Sequence, residues 1–257
     1  MRAGTGQPLI SARSLTKVYE ATRGQKVVAL EAVSFDVHQG EFVTLVGPSG
    51  CGKSTLLRLI AGLQPATSGE IHADGRRVEG PIRVGVVFQT PVLMPWMSVV
   101  ANILLPVEIL KLDKDGARVD ARELIQVLGL TGFEQAYPFE LSGGMQSRVA
   151  IGRALIHNPK LLLMDEPFGA LDAFTRESMG VELLRLWEKY QKTVIFVTHD
   201  IAEAVFLAYK LVVMTPRPGR VRRIMEIELE RPRTAATKSS PAFARYTYEI
   251  RQELGLV

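Results

Sequence analysis

The residues with the clearest chemistry form one run: Gly47, Pro48, Ser49, Gly50, Cys51, Gly52, Lys53 and Ser54. The run matches G-x-x-x-x-G-K-[ST], a loop that wraps a chain of phosphates. It stands between a short apolar run, Phe42–Val46, and an apolar helical stretch, Ser54–Ala61, which is the setting the pattern requires. Its glycines let the backbone turn tightly, so that N–H groups converge on an anion. The following helix offers its unpaired first N–H groups to the same anion. Lys53 brings positive charge to the β- and γ-phosphates, and Ser54 brings a hydroxyl to Mg²⁺. Thr55, next in the chain, is in reach of the α-phosphate. Cys51 stands inside the loop, where a small side chain is needed.

A second constellation sits at the end of another apolar run. Leu161–Met164 leads directly into Asp165 and Glu166. Adjacent carboxylates at the end of a buried strand are costly unless they handle cations or protons. Ligands of parallel sheets bind just outside the carboxyl ends of the strands. Asp165 is therefore placed to hold Mg²⁺, directly or through water, and Glu166 to orient or deprotonate an attacking water. His199 follows the apolar run Val194–Val197 and, by the same rule, falls near the γ-phosphate. Gln89 follows Val84–Phe88 and is placed to contact Mg²⁺ or the water, and to report nucleotide state to a helical lobe. His38, His72 and His157 have no such position and read as structural.

The elements that position these residues follow from periodicity. Residues 9–46 read as strands, because Val27, Val28, Leu30, Val33, Phe35 and Val37 are mostly apolar at period two. Pro65, Gly69, Gly75, Gly80 and Pro81 restrict residues 64–90 to short strands, of which Val84–Phe88 is the strongest. From about 98 to 158 the period is helical. Val119, Leu124, Ile125, Val127 and Leu128 mark one helix that Gly129 stops, and a second helix lies within Leu141–Ile156, ended by Asn158 and Pro159. Strand and helix then alternate: Leu161–Met164, Thr175–Tyr190, Thr193–Val197, Ile201–Ala208 and Lys210–Met214. That alternation means a parallel sheet with crossover helices, and its strands, apolar almost without interruption, mean a sheet covered on both faces. Beyond Pro216, Arg217, Arg220, Arg222, Arg223, Arg231 and Arg233 surround Glu226, Glu228 and Glu230. These read as short edge strands and a helical tail with a solvated face, with contact to an anionic surface as the alternative.

Composition narrows the class. The chain has 257 residues, 47% hydrophobic and 23% charged, the balance of a globular protein with one large domain. Its formal charge of +4 permits an anionic partner without identifying one. No aromatic-interleaved basic stripe suggests nucleic acid. The single cysteine excludes an intramolecular disulfide and a cysteine-rich metal cluster. The opening residues lack the apolar stretch of a secretory signal. Val84–Val107 is uncharged and long enough to cross a bilayer, but Gln89, Pro91, Pro95, Asn102 and Pro106 argue for buried strand, turn and surface helix.

The ordered set of motifs resembles the ATP-binding subunit of an ATP-binding cassette (ABC) transporter over nearly all of residues 9–215. Leu141, Ser142, Gly143, Gly144, Met145 and Gln146 resemble the family signature, ahead of the acidic strand. Tyr19 stands at the A-loop position, Gln89 at the Q-loop, Gly169–Asp172 at the D-loop and His199 at the switch histidine. Ser147 departs from the glutamine that many relatives carry there. The resemblance implies ATP and Mg²⁺, an adenine stacked on Tyr19, and Ser142, Gly143 and Gly144 facing the γ-phosphate held by a second, head-to-tail subunit. Asp172 would help couple the two sites. The segments Leu93–Met97 with Val99–Asn102, Met164–Asp172 and Thr215–Gly219 resemble the nitrate, sulfonate and taurine importers.

That implies two membrane permease subunits, a solute-binding protein in the full system, and a place on the cytoplasmic face of a bacterial inner membrane. An exposed Trp96 would receive the permease near residues 90–106; its alternative is internal packing. Other importer classes and soluble cassette ATPases are the remaining alternatives. The expected fold is α/β: a phosphate-loop (RecA-like) nucleoside triphosphatase core with an antiparallel β region and an inserted helical lobe. Residues 9–230 would form the ATPase domain, with the lobe at about 95–158, and residues 231–257 a tail. Because Cys51 lies inside the loop, its oxidation or alkylation is expected to block the phosphates; full ATPase activity after verified modification would contradict this.

Overall fold

The computed structural model describes residues 6–20 and 25–257. Residues 21–24, within the predicted strand region, and residues 1–5 of the N-terminal stretch lie outside the described residues. Two compact units divide the chain: the part up to Arg83 together with Lys192–Val257, and Val84–Gln191.

The first unit contains β1 (Ile10–Glu20), β2 (Lys26–Val37), β3 (Phe42–Val46), α1 (Lys53–Ile60), β4 (Ser68–Ala73) and β5 (Arg76–Arg77). The second contains β6 (Gly85–Val87), α2 (Val99–Ile109), α3 (Lys114–Val127), α4 (Gly143–Leu155), β7 (Leu161–Asp165) and α5 (Ala173–Tyr190). The chain returns to the first with β8 (Thr193–Thr198), α6 (Ile201–Leu207), β9 (Lys210–Met214), β10 (Val221–Glu226) and α7 (Pro241–Glu253).

In the first unit, β2, β1, β4 and β5 form an antiparallel sheet in that order. The alternation seen in the sequence is the alternation of its faces, with Leu30, Val33, Phe35 and Val37 buried. Strands β10, β9, β3 and β8 lie side by side. β3 is parallel to β8 and β9, and β10 is antiparallel to β9. All five residues of β3 and all six of β8 are buried. They do not alternate apolar with charged residues, because a parallel strand covered on both faces has no solvent side to mark. Helix α1 buries Leu56, Leu57, Leu59 and Ile60 and stops at Gly62, whose φ of +70° suits a glycine. A Cβ there would meet the Gly80 carbonyl oxygen at 1.8 Å.

The tail departs from expectation at one residue. Arg222 and Arg223 pair with Glu253 on α7, at the surface as expected. Arg233 is instead 3% exposed. Both terminal nitrogens of its guanidinium donate to backbone carbonyls, which gives a buried cation acceptors in place of water.

In the second unit, β6 and β7 pair in parallel. Each of its four α-helices starts on a polar side chain that accepts a backbone N–H: Ser98, Asp113, Ser142 and Asp172. Among the described residues no helix is long and apolar enough to cross a membrane. Within Val84–Val107, α2 occupies only Val99–Ile109, and buried Asn102 ties down the segment before it. Asn102 Oδ1 accepts from Met94 N at 2.8 Å, and its Nδ2 donates to the carbonyls of Met94, Met97 and Ser98. The loop so fixed leaves Trp96 71% exposed, as the sequence led one to expect.

Gly219 closes the first unit against the turn that follows β3. Its N–H and carbonyl bond to Ala29 O and Glu31 N, and a Cβ would stand 1.9 Å from Cys51 O. Neither backbone can yield without breaking its own bonds. Gly219→Ala is expected to cost about 2 kcal/mol through overpacking, a fall of about 4–8 °C in Tm for a chain of this size. Calorimetry checks this, and an unchanged midpoint contradicts it.

Candidate functional site

The glycine-rich loop occupies the link between β3 and α1. Gly50 and Gly52 have φ of +75° and +103°. At Gly52 a Cβ would also reach Leu30 Cδ2 at 2.7 Å and Ala29 O at 2.9 Å, so both conformation and space demand glycine. Cys51 N donates to Pro48 O at 3.3 Å and tightens the turn. No side chain caps α1, whose N-cap is Gly52 and whose first turn holds no acid. The helix therefore starts with no capping side chain at its N-cap and no carboxylate in its first turn, which suits an external anion.

Lys53 is only 5% exposed. Its Nζ donates to Gly47 O at 2.8 Å and Pro48 O at 3.1 Å and lies 3.9 Å from Cys51 Sγ. The ammonium is folded into its own loop, held by neutral acceptors alone among these contacts. Cys51 is 1% exposed, and burial pushes its thiol up, with the Lys53 charge opposing. The side chain is small as expected, but it faces inward. Modification of Cys51, treated above as a simple block, therefore first requires the loop to open.

Tyr19 is brought to this loop's helix. Its hydroxyl donates to Gln64 Oε1 at 2.7 Å and lies 3.4 Å from Thr55 Oγ1. His199 is placed by register. Val46 pairs with Thr198, so the residues that follow, Gly47 and His199, leave adjacent parallel strands at the same level. His199 is exposed at that edge, between β8 and Asp200, the N-cap of α6.

The second unit holds the acidic strand end. Val87 pairs with Met164, so Gln89 and the Asp165–Glu166 pair emerge at the same end of β6 and β7. Glu166 takes a left-handed conformation with φ of 47°, which the sequence did not announce. Its carbonyl accepts from Gly169 N at 3.0 Å, closing a tight turn over buried Phe168. A Cβ on Gly169 would lie 3.5 Å from Gln89 Nε2, so the glutamine amide reaches this turn. Asp172 caps α5, with Oδ1 accepting from Phe174 N and Thr175 N. The bonds from Thr175 hold its carboxyl below the usual carboxylate range.

Ser142, Gly143 and Gly144 form the start of α4. Ser142 Oγ accepts from Met145 N at 3.3 Å, and Ser142 and Gly143 are exposed. Gly144 packs so closely that a Cβ would stand 2.9 Å from Thr175 Cγ2. The result is the exposed N-terminus of a thirteen-residue helix, where Ser142 caps one N–H and the helix end still favours an anion.

The residues expected toward Mg²⁺ are one hydroxyl, Ser54, in the first unit, and one amide and one carboxylate, Gln89 and Asp165, in the second. No group of three or more His, Cys, Asp or Glu suited to a metal occurs among the described residues. A sparse oxygen set of this kind fits Mg²⁺, which keeps waters and substrate phosphates rather than an all-protein cage.

One contributor was missed at the sequence level. Arg217 Nε donates to Gly50 O at 3.4 Å, and Gly219 packs on Cys51 O, so residues 215–219 brace the phosphate loop. Their spacing had served only as a family marker, because a side chain bonding a carbonyl 167 positions away leaves no periodic trace.

The family model described as ABC transporter matches residues 30–169. The taurine import ATP-binding protein TauB of Rhizobium johnstonii is 48% identical, over 91% of this chain and 91% of that one. The nitrate import ATP-binding protein NrtD of Synechocystis sp. is 46% identical, over 92% and 91%. The solved dimeric structure of a bacterial ABC transporter cassette superposes with a TM-score of 0.75 at 35% identity, covering 85% of this chain and 99% of that one. The mixed parallel and antiparallel architecture with helical insertions is the RecA-like ATPase fold expected from the motifs. The chain belongs to the ABC transporter family, as an ATP-binding and hydrolysing subunit related to the nitrate, sulfonate and taurine importer ATPases.

Proposed function

We propose that this subunit hydrolyses ATP to power import of a small solute, nitrate-, sulfonate- or taurine-like, through separate membrane permeases. The observation that carries the reading is the buried Lys53 ammonium within the uncapped phosphate loop, in a chain 48% identical to a taurine import ATP-binding protein. The loop amides and Lys53 stabilise the negative charge of the phosphates. Tyr19 stacks on adenine, and Thr55 bonds the α-phosphate. Ser54, Gln89 and Asp165 hold Mg²⁺, which when bound screens the phosphate charge. Glu166 orients or deprotonates the attacking water, and His199 contacts the γ-phosphate.

Ser142, Gly143 and Gly144 bind the γ-phosphate held by a second copy, with Asp172 coupling the two sites. Shared nucleotide then joins two surfaces, and loss of the γ-phosphate releases them, so ATP biases a two-state equilibrium. The ATPase domain is residues 9–230, with its lobe at about 95–158 and its tail at 231–257. Two permeases and a solute-binding protein complete the system. The subunit sits at the cytoplasmic face of a bacterial inner membrane, peripherally through the permeases. Exposed Trp96, on a loop fixed by Asn102, is the docking point for a permease.

Glu166→Gln keeps the size and the backbone but cannot take a proton. Hydrolysis is expected to fall about 100-fold or more, while ATP binds and holds the dimer closed; near-normal turnover in a phosphate-release assay defeats the role given to Glu166. Trp96→Ala is expected to keep the basal ATPase of the full chain and lose solute-driven stimulation in proteoliposomes. A cross-linking map in which the permease never touches residues 90–106 contradicts the docking model. Burial of Cys51 predicts alkylation by iodoacetamide at least about 10-fold slower than for an exposed thiol. Thiol titration with and without denaturant measures the ratio, and equal rates contradict it.

A further inference from the structure

The tail closes the far end of α6. Arg233 Nη1 donates to Val205 O at 3.2 Å, Phe206 O at 2.8 Å and Ala208 O at 2.7 Å, while Nη2 donates to Ile227 O at 3.1 Å. Arg231 Nη2 reaches the remaining carbonyl, that of Leu207, at 3.5 Å. The last four carbonyls of a helix have no partner within it, and here the tail serves all four. A cation at this position also meets the negative end of the helix dipole. Lys238 adds a second grip, its ammonium 5.0 Å from the centre of the Phe206 ring.

Helix α6 has seven residues, too few to hold a position by its own bonds. Its middle is tied to β3, where Thr44 Oγ1 donates to Ala204 O at 3.3 Å. Its near end begins two residues after β8, and the link consists of His199 and Asp200. Asp200 N donates to Thr198 Oγ1 and Asp200 Oδ1 accepts from Glu203 N, each at 3.0 Å. The link has no slack. A shift of α6 along its axis must move His199 against the phosphate-loop edge that Val46 and Thr198 share.

We propose that Arg233 is a positioning residue for His199: by capping α6 it fixes where the β8–α6 link presents the imidazole. This rests on the γ-phosphate role given to His199 above. Arg233 touches no residue of the phosphate loop in the bonds described, so its effect belongs to turnover rather than to nucleotide affinity. Lysine at 233 keeps the charge and stem but cannot bridge several carbonyls at once.

The experiment combines steady-state ATPase of the full-length chain with imidazole ¹H–¹⁵N spectra, in which its four histidines are distinguished. Arg233→Lys is expected to lower kcat about 10-fold, with KM for ATP unchanged within about 2-fold. In a His199→Ala background the same change should have no further effect, the mark of action through one group. The His199 signals should move, and those of His38, His72 and His157 should not. Lys238→Ala, a surface change at the same helix end, should move them in the same sense by less, and serves where Arg233→Lys does not fold. Wild-type kcat in folded Arg233→Lys, an undiminished effect in the His199→Ala background, or unmoved His199 signals in both variants overturns the proposal. Wild-type turnover in His199→Ala alone instead overturns the role of His199, while the spectra still report whether Arg233 positions it.

Discussion

Lys53 Nζ lies against the carbonyl oxygens of Gly47 and Pro48, withdrawn from water in the loop that carries it. A buried ammonium is costly, and neutral carbonyls offset only part of what hydration supplied. The missing part is an anion. At an effective dielectric near 20, a unit negative charge brought to about 4 Å is worth about 4 kcal/mol. The phosphate loop therefore holds its cation in an unfavourable solvent so that the substrate's charge is the most favourable thing that can enter. The open N-terminus of α1 points to the same use, since Gly52 leaves the helix without a capping side chain. Gly219 and Arg217 keep this arrangement closed from outside, one by close packing on Cys51 O and the other by a bond to Gly50 O.

Parallel pairing then decides which residues share an edge. In the first unit Val46 pairs with both Thr198 and Val213, so three strands end level, and the phosphate loop and His199 leave from neighbouring ends. In the second unit the pairing of Val87 with Met164 does the same for Gln89 and the acidic pair. None of these polar groups needs its own folding signal. Each inherits its place from an apolar strand that must be buried on both faces.

This explains what could be read from the sequence and what could not. The runs Phe42–Val46, Leu161–Met164 and Val194–Val197 are apolar but for Thr44, and the polar residues directly after them are the candidate site. Strand ends and helix ends came from glycine, proline and period, and lie within a few residues of Gly62, Gly129 and Asn158. The hidden features are side chains that bond backbone far away in the chain. Asn102 fixes the loop around Trp96, Arg217 reaches Gly50, and Arg233 caps α6. Arg233 looked like one more solvated arginine because charge composition does not say where a guanidinium is buried. Cys51 looked accessible because its loop is a ligand site, yet Gly47 leaves just the room that its sulfur fills, with a Cβ there falling 3.1 Å from it.

Glu166 shows the same logic at the level of the backbone. Its φ of 47° lies where glycine is comfortable and glutamate is not, at a cost of about 1–3 kcal/mol. A glycine would relieve the strain and remove the carboxyl. The turn that imposes it is closed by the Gly169 N–H on the Glu166 carbonyl, carries buried Phe168, and has the Gln89 amide close to Gly169. Strain closed in by a backbone hydrogen bond and a buried ring of the same turn is not a packing accident that a single rotamer change could remove. It fixes the direction in which the carboxyl leaves the strand end before any substrate arrives. A carboxylate whose direction is set by the fold has less reorganisation to undergo in the role proposed for Glu166. The conformational cost at Glu166 and the electrostatic cost at Lys53 are thus of one kind: folding energy given up locally at the residues proposed to meet water and phosphate.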